Sequence, residues 1–246
     1  MPAAEGRSPH IHPSSSRMAG GGEEVSPMRM AAAGLLVLAL GACATPAAPG
    51  PSPAAAPSGP PPAASPVTGF QPPAALHICP GMRVSHAPET DAARRILVYR
   101  RSVAVNGVPL MVSPVEEVCL SRGQGGRHEG LDLAPFPRTH VRMVRAGGDG
   151  VVREFGERHD FGIYVLIDHG NGVYTRYAHL AFASPGMAAG RRVAAGEPIG
   201  QMGGTGGVPI HLHYAILTGD YHTPARSFGL TPVDPFEVIA RTARVN

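Results

Sequence analysis

The chain has 246 residues, and its 32 glycines and 27 prolines exclude a coiled coil or a helical bundle, since both residue types damage helix interiors. The formal net charge is only +3, every one of the 21 cations is arginine, and no basic run occurs. That pattern excludes a dedicated nucleic-acid binder while suiting an anionic polymer as partner.

Residues 31–40 read AAAGLLVLAL, an uncharged stretch well short of the roughly 20 residues that span a bilayer. Behind Met28-Arg29-Met30 it reads as the apolar region of a signal peptide, with Met28 as the start of translation. It runs into Leu40-Gly41-Ala42-Cys43, which resembles the lipobox of bacterial lipoproteins. The resemblance makes residues 1–42 a leader and Cys43 the lipidated first mature residue; the alternative is a chance cysteine after an ordinary signal peptide. Because Ala44 is not aspartate, the lipoprotein sorting rule implies the outer membrane, facing the periplasm. Residues 43–75 are almost wholly Ala, Pro, Ser and Gly, and 15 of the 27 prolines fall before residue 76. Such a composition cannot bury a core and reads as a semi-rigid tether.

Two cysteines remain, Cys79 and Cys119, and in an exported chain an even pair most economically forms one disulfide. The alternative, a thiolate site, needs a nearby histidine and an activating field that the sequence does not show. Residues 76–113 read as a β extension of unassigned role. In it Ile96–Tyr99 and Val103–Val105 precede Asn106-Gly107, a strong hairpin signal, and Val108–Val112 follows. Further on, Gly162–Asp168 reads as a buried strand, His169-Gly170-Asn171-Gly172 as a turn, and Val173–Leu180 as the antiparallel partner. Val151-Val152, Val193 and His211–Leu217 supply further strands, and only Pro235–Ala243 looks helical. The predicted class is mostly β: an antiparallel sheet with long loops forming a groove, and a short C-terminal helix.

The 12 histidines include three clusters: His128-Glu129-Gly130-Leu131-Asp132, Tyr177-Ala178-His179-Leu180 and His211-Leu212-His213. The first is not the zinc helix H-E-x-x-H, because its fifth residue is Asp132 and Gly130 disfavours a helix. In extended chain, however, residues two or four apart share a face. His128 and Asp132 can then point one way from a strand, and His211 and His213 can do the same while Leu212 enters the core. Two imidazoles and a carboxylate form the usual ligand set of hydrolytic zinc, with one position left open. The other histidines (10, 12, 77, 86, 140, 159, 169 and 222) read as turn or surface residues. The arginines at 94, 95, 100 and 101 read as a solvated strand edge or as contacts for an anionic glycan.

The HxGxD of His128–Asp132, the hairpin YVLIDHGNGVYTRYAHL and the closing GGTGGVPIHLHY resemble the LytM/lysostaphin-type zinc metallopeptidases over roughly residues 114–218. The resemblance implies a metallopeptidase domain over 114–246, with zinc held by His128, Asp132 and His213. The family's two non-ligand catalytic histidines fall on His179 and His211. It also implies hydrolysis of peptide cross-links in peptidoglycan. With an outer-membrane address, the expected cross-link is D-alanyl to diaminopimelate. The stretches Ser121–Gly126 and Leu133–Arg142 depart from the family pattern and flank the groove, which bears on substrate preference. The alternative function is a regulatory module of the same family that binds peptidoglycan or activates a cell-wall amidase without hydrolysis.

Overall fold

The computed structural model describes residues 69–137, 142–222 and 226–245. The leader, Cys43, most of the proline-rich tether, His10, His12 and His140 lie outside them.

Twelve strands occur among the described residues: β1 (Ser102–Val105), β2 (Val108–Met111), β3 (Val118–Arg122), β4 (Leu131–Pro135), β5 (Met143–Arg145), β6 (Gly150–Arg158), β7 (Gly162–Asp168), β8 (Val173–Ala183), β9 (Arg192–Val193), β10 (Pro198–Met202), β11 (Leu212–Thr218) and β12 (Thr231–Val233). Among the described residues there is one α-helix, α1 (Pro235–Val245), which follows a short turn at Arg226–Gly229 and β12. The fold is mostly β and antiparallel. β1 and β2 pair around Asn106-Gly107, where both residues have positive φ (47° and 79°), as a two-residue hairpin turn requires. The remaining strands form one sheet in the order β3-β4-β11-β8-β7-β6-β9, with β10 bridging β5 and β8, and β12 on β11.

The central strands are covered on both faces, which is why β7 reads as a near-continuous apolar run and the first eight residues of β8 are buried. Alternation along them separates two cores. Val165, Ile167, Tyr177, Leu212, Tyr214 and Ile216 face the larger one, which also takes Val103, Val105 and Leu110 of the β1–β2 hairpin. Tyr164, Leu166, Ala178, Ala215 and Leu217 face the other, where Phe161 and Phe228 lie. The hairpin thus shares the core of the large sheet.

Two local readings of the sequence are corrected. Ile96–Tyr99 is not a strand: Ile96 is buried, but the segment turns, with Leu97 N–H donating to the Glu89 carbonyl and Ile96 N–H to that of Leu76. His128 is not on the strand that carries Asp132. It ends a tight turn in which Gly125 and His128 exchange backbone hydrogen bonds at 3.0 Å, and β4 begins three residues later.

Residues 76–99 form a strap along β3. Cys79 is disulfide-bonded to Cys119, Cys79 N–H donates to the Leu120 carbonyl, and Leu120 N–H donates to the His77 carbonyl. Arg94 Nη2 donates to the carbonyls of Cys79 (3.2 Å) and Met82 (2.6 Å), so it folds the strap onto itself instead of lining a solvated edge.

Candidate metal centre

Asp132 and His213 are direct cross-strand partners on β4 and β11, so the pleat sends both side chains to the same face. His213 Nδ1 lies 3.0 Å from Asp132 Oδ1. The turn before β4 brings His128 Nε2 to 2.9 Å from the same oxygen and 3.1 Å from His213 Nδ1. His128 Nδ1 sits 2.8 Å from the Gly123 carbonyl, which only accepts, so this nitrogen carries the proton and Nε2 presents a lone pair. That lone pair, the carboxylate oxygen and His213 Nδ1 converge with fewer protons than acceptors. A cation between them resolves the conflict. Tetrahedral zinc with bonds near 2.0–2.1 Å needs ligand atoms about 3.3 Å apart, close to what is present. The donor set fits zinc.

Burial would push the Asp132 carboxyl up, but the nitrogens of His128, His211 and His213 outweigh it and hold the group well below the usual carboxylate range. Burial pulls His213 down to about 4, with the Arg176 charge acting in the same sense. Both groups are therefore poised in the deprotonated form that a metal requires.

His179 and His211 stand beside these three. Their ring centroids are 4.8 Å apart, and His179 is 6.1 Å from His213. His211 Nδ1 donates to the Pro209 carbonyl (2.7 Å), leaving Nε2 turned to Asp132 Oδ1 at 3.5 Å. His179 Nδ1 donates to the Thr205 carbonyl (2.9 Å). Each ring is thus fixed with Nε2 as its open nitrogen. His179 reaches the site through a bulge. Opposite Ile163–Val165, three residues of β7, β8 spends four, and His179 takes φ +63° there. The result is that Tyr177 and Leu180 enter the same core while His179 is re-aimed at the metal ligands.

One neighbour of the site, Arg176, was not singled out from the sequence, and His169, away from the site, is placed differently from the turn or surface reading. Arg176 is buried to 1% exposure, with Nη2 3.1 Å from Glu129 Oε2 and 3.3 Å from His213 Nε2. Its guanidinium lies 3.9 Å over the Phe161 ring, and Glu129 also accepts from Ser227. An arginine among the buried residues of the VYTRYAHL strand was the available signal. His169 turns out fully internal, with Nδ1 on the Asp149 carbonyl and Nε2 beside Thr175 Oγ1, both at 2.7 Å.

Two histidines and an aspartate around an open position, flanked by two oriented histidines in a cavity of about 360 Å³, define a metal-dependent hydrolase site. Residues 126–225 match the family described as Peptidase family M23. Among curated relatives, the chain is 37% identical over 139 residues to the peptidoglycan DD-endopeptidase ShyC of Vibrio cholerae, covering 56% of this chain and 29% of ShyC. It is 42% identical over 88 residues to the DD-carboxypeptidase/endopeptidase Mpg of Neisseria meningitidis, covering 35% of this chain and 19% of Mpg. It is 33% identical over 122 residues to the cell division protein DipM of Caulobacter vibrioides, covering 49% of this chain and 19% of DipM. The match spans less than a third of each of these relatives.

Proposed function

We propose that the protein is a zinc-dependent endopeptidase that hydrolyses peptide cross-links of peptidoglycan, the D-alanyl–diaminopimelate bond being the intended target. The observation that carries the reading is the convergence of His128, Asp132 and His213 on one point, with His179 and His211 beside it. Relatives named as DD-endopeptidases support the substrate.

His128, Asp132 and His213 would hold the metal. Bound there, zinc would supply Lewis-acid polarisation of the scissile carbonyl and a water with its pKa lowered to about 7. The protein supplies the proton handling. His211 and His179 each hold a proton on Nδ1 against a carbonyl, so Nε2 of one accepts the proton lost in water attack. Nε2 of the other, when protonated, donates to the developing oxyanion or the departing amine. The Gly123 carbonyl fixes the His128 ring, and the outer partners of ligating histidines are worth 10–100-fold in affinity or activity.

In this reading, lipid on Cys43 and the tether behind it hold the domain at the outer membrane, within reach of the wall. The test is incubation of the zinc-loaded full chain with purified sacculi, followed by fragment analysis. New amino termini at the cross-link support endopeptidase action. Release of fragments only when an amidase is added contradicts it and favours the regulatory reading.

A further inference from the structure

Beside the metal ligands lies a recess of about 490 Å³ that shares Arg122, Asp132, Pro209 and His211 with the cavity of the metal centre. Its lining is mostly apolar, with Met82, Ala134, Pro135, Pro209 and Ile210 among its residues. Ile210 is 53% exposed, an aliphatic side chain held in water at the edge of the reaction site. The one charged side chain lining the recess apart from Asp132 and His211 is Arg122, which stands opposite Asp132 in the backbone register of β3 and β4 and is exposed. Among the described residues Arg122 makes no ion pair and no side-chain hydrogen bond.

Met82 lies outside residues 126–225 and comes from the strap. Its position is held from three directions. The Cys79–Cys119 bond anchors the strap three residues before it, Arg94 Nη2 binds its carbonyl, and Gly123 N–H donates to the Ser85 carbonyl at 2.9 Å just after it. A wall fixed in advance costs little ordering on binding.

We infer that this recess is a specificity subsite for a substrate residue with an aliphatic side chain ending in a carboxylate. The stem of that side chain lies against Met82 and Ile210, and its carboxylate meets Arg122. The inference rests on the peptidase reading and deepens it. A glycine strand would leave the recess empty, and a neutral side chain would leave Arg122 unpaired. The strap, which the sequence left without a role, supplies one wall of the substrate groove.

The test compares the side-chain acid with the side-chain amide of one probe, N-acetyl-D-alanyl-2-aminopimelic acid methyl ester. Equilibrium binding is measured on the zinc-loaded full chain carrying His179→Ala, which leaves the recess untouched and keeps the probe intact. The acid should bind about fivefold tighter than the amide, as one partly exposed ion pair allows. Arg122→Gln should erase that preference, while Met82→Ala should weaken acid and amide alike. Equal binding of acid and amide, or a preference that survives Arg122→Gln, overturns the inference. Cleavage of cross-linked sacculi by the unmutated chain is scored separately. Cleavage without discrimination overturns the subsite alone, and discrimination without cleavage overturns the peptidase reading alone.

Discussion

The backbone of Gly123 passes directly beneath the carbonyl of His86: a Cβ built on Gly123 would stand 1.9 Å from that oxygen. That oxygen belongs to the main chain and a Cβ is fixed in place by its own backbone, so no side-chain rotation relieves the clash. The carbonyl of the same glycine accepts from His128 Nδ1, which links the strap to a metal ligand through one residue. Gly123→Ala should therefore displace that carbonyl and lower zinc affinity by about tenfold, the lower end of effects seen for outer partners of ligating histidines. Competition with a chromogenic chelator measures it, and unaltered affinity would show that the strap and His128 are independent.

The disulfide should stabilise the domain chiefly through the unfolded chain. Cys79 and Cys119 are 40 residues apart, a closure worth about 4 kcal/mol on loop entropy. Urea unfolding of the oxidised protein and of Cys79→Ser/Cys119→Ser should differ by about that amount. Coincident midpoints would contradict it, as would two reactive thiols in the denatured, unreduced protein.

The Arg176–Glu129 pair carries a different liability. Arg176 is almost wholly enclosed, and among the described residues its Nε and Nη1 have no hydrogen-bond partner, so much of its compensation comes from Glu129 and the Phe161 ring. Glu129→Ala leaves a buried cation without that carboxylate and should cost roughly 3 kcal/mol of stability. Denaturant titration tests this; a cost below the scatter of surface substitutions would mean the charge is compensated elsewhere.

His169 contributes to the response to acid alongside His213, which burial also lowers to about 4. Burial drops His169 from the ordinary value of 6.5 to about 4. The folded state binds this proton more weakly than the unfolded state does. Its contribution is therefore whole above pH 6.5 and is lost progressively as pH falls toward 4. The loss should reach about 3 kcal/mol across that window. His169→Gln should flatten this part of the stability curve, and an unchanged slope in the variant would refute the assignment.

The sheet was legible where local chemistry decides structure. Asn106-Gly107 and His169-Gly170-Asn171-Gly172 announce their turns, and the β7–β8 hairpin between apolar runs follows from the alternation. His211 and His213 could be placed on one face because the strand period alone sets it, whereas their meeting with Asp132 depends on the register of β4 against β11. The re-aiming of His179 could not be read, since its positive φ exists only where β8 carries one residue more than β7. Nor could the strap be read. Ile96 is buried like a strand residue, but what holds residues 76–99 is a disulfide, scattered backbone bonds and close approaches at Gly123 and Gly125. None of these leaves a periodic trace. Arg176 was hidden for the converse reason, because its counter-charge Glu129 is 47 residues away in sequence.

The division of labour between the two histidines of the H-x-H pair tests the account most directly. His213 Nδ1 lies 3.0 Å from Asp132 and 3.1 Å from His128, whereas His211 Nε2 stands off at 3.5 Å from Asp132. The decisive measurement is the zinc content and sacculus-cleaving rate of His213→Ala and His211→Ala, determined side by side on the full chain. The account predicts that His213→Ala loses both metal and activity. His211→Ala should keep its zinc and lose roughly 10²–10⁴-fold in rate, as removal of a proton-transfer or oxyanion donor does. Zinc retained by His213→Ala and lost from His211→Ala would contradict it.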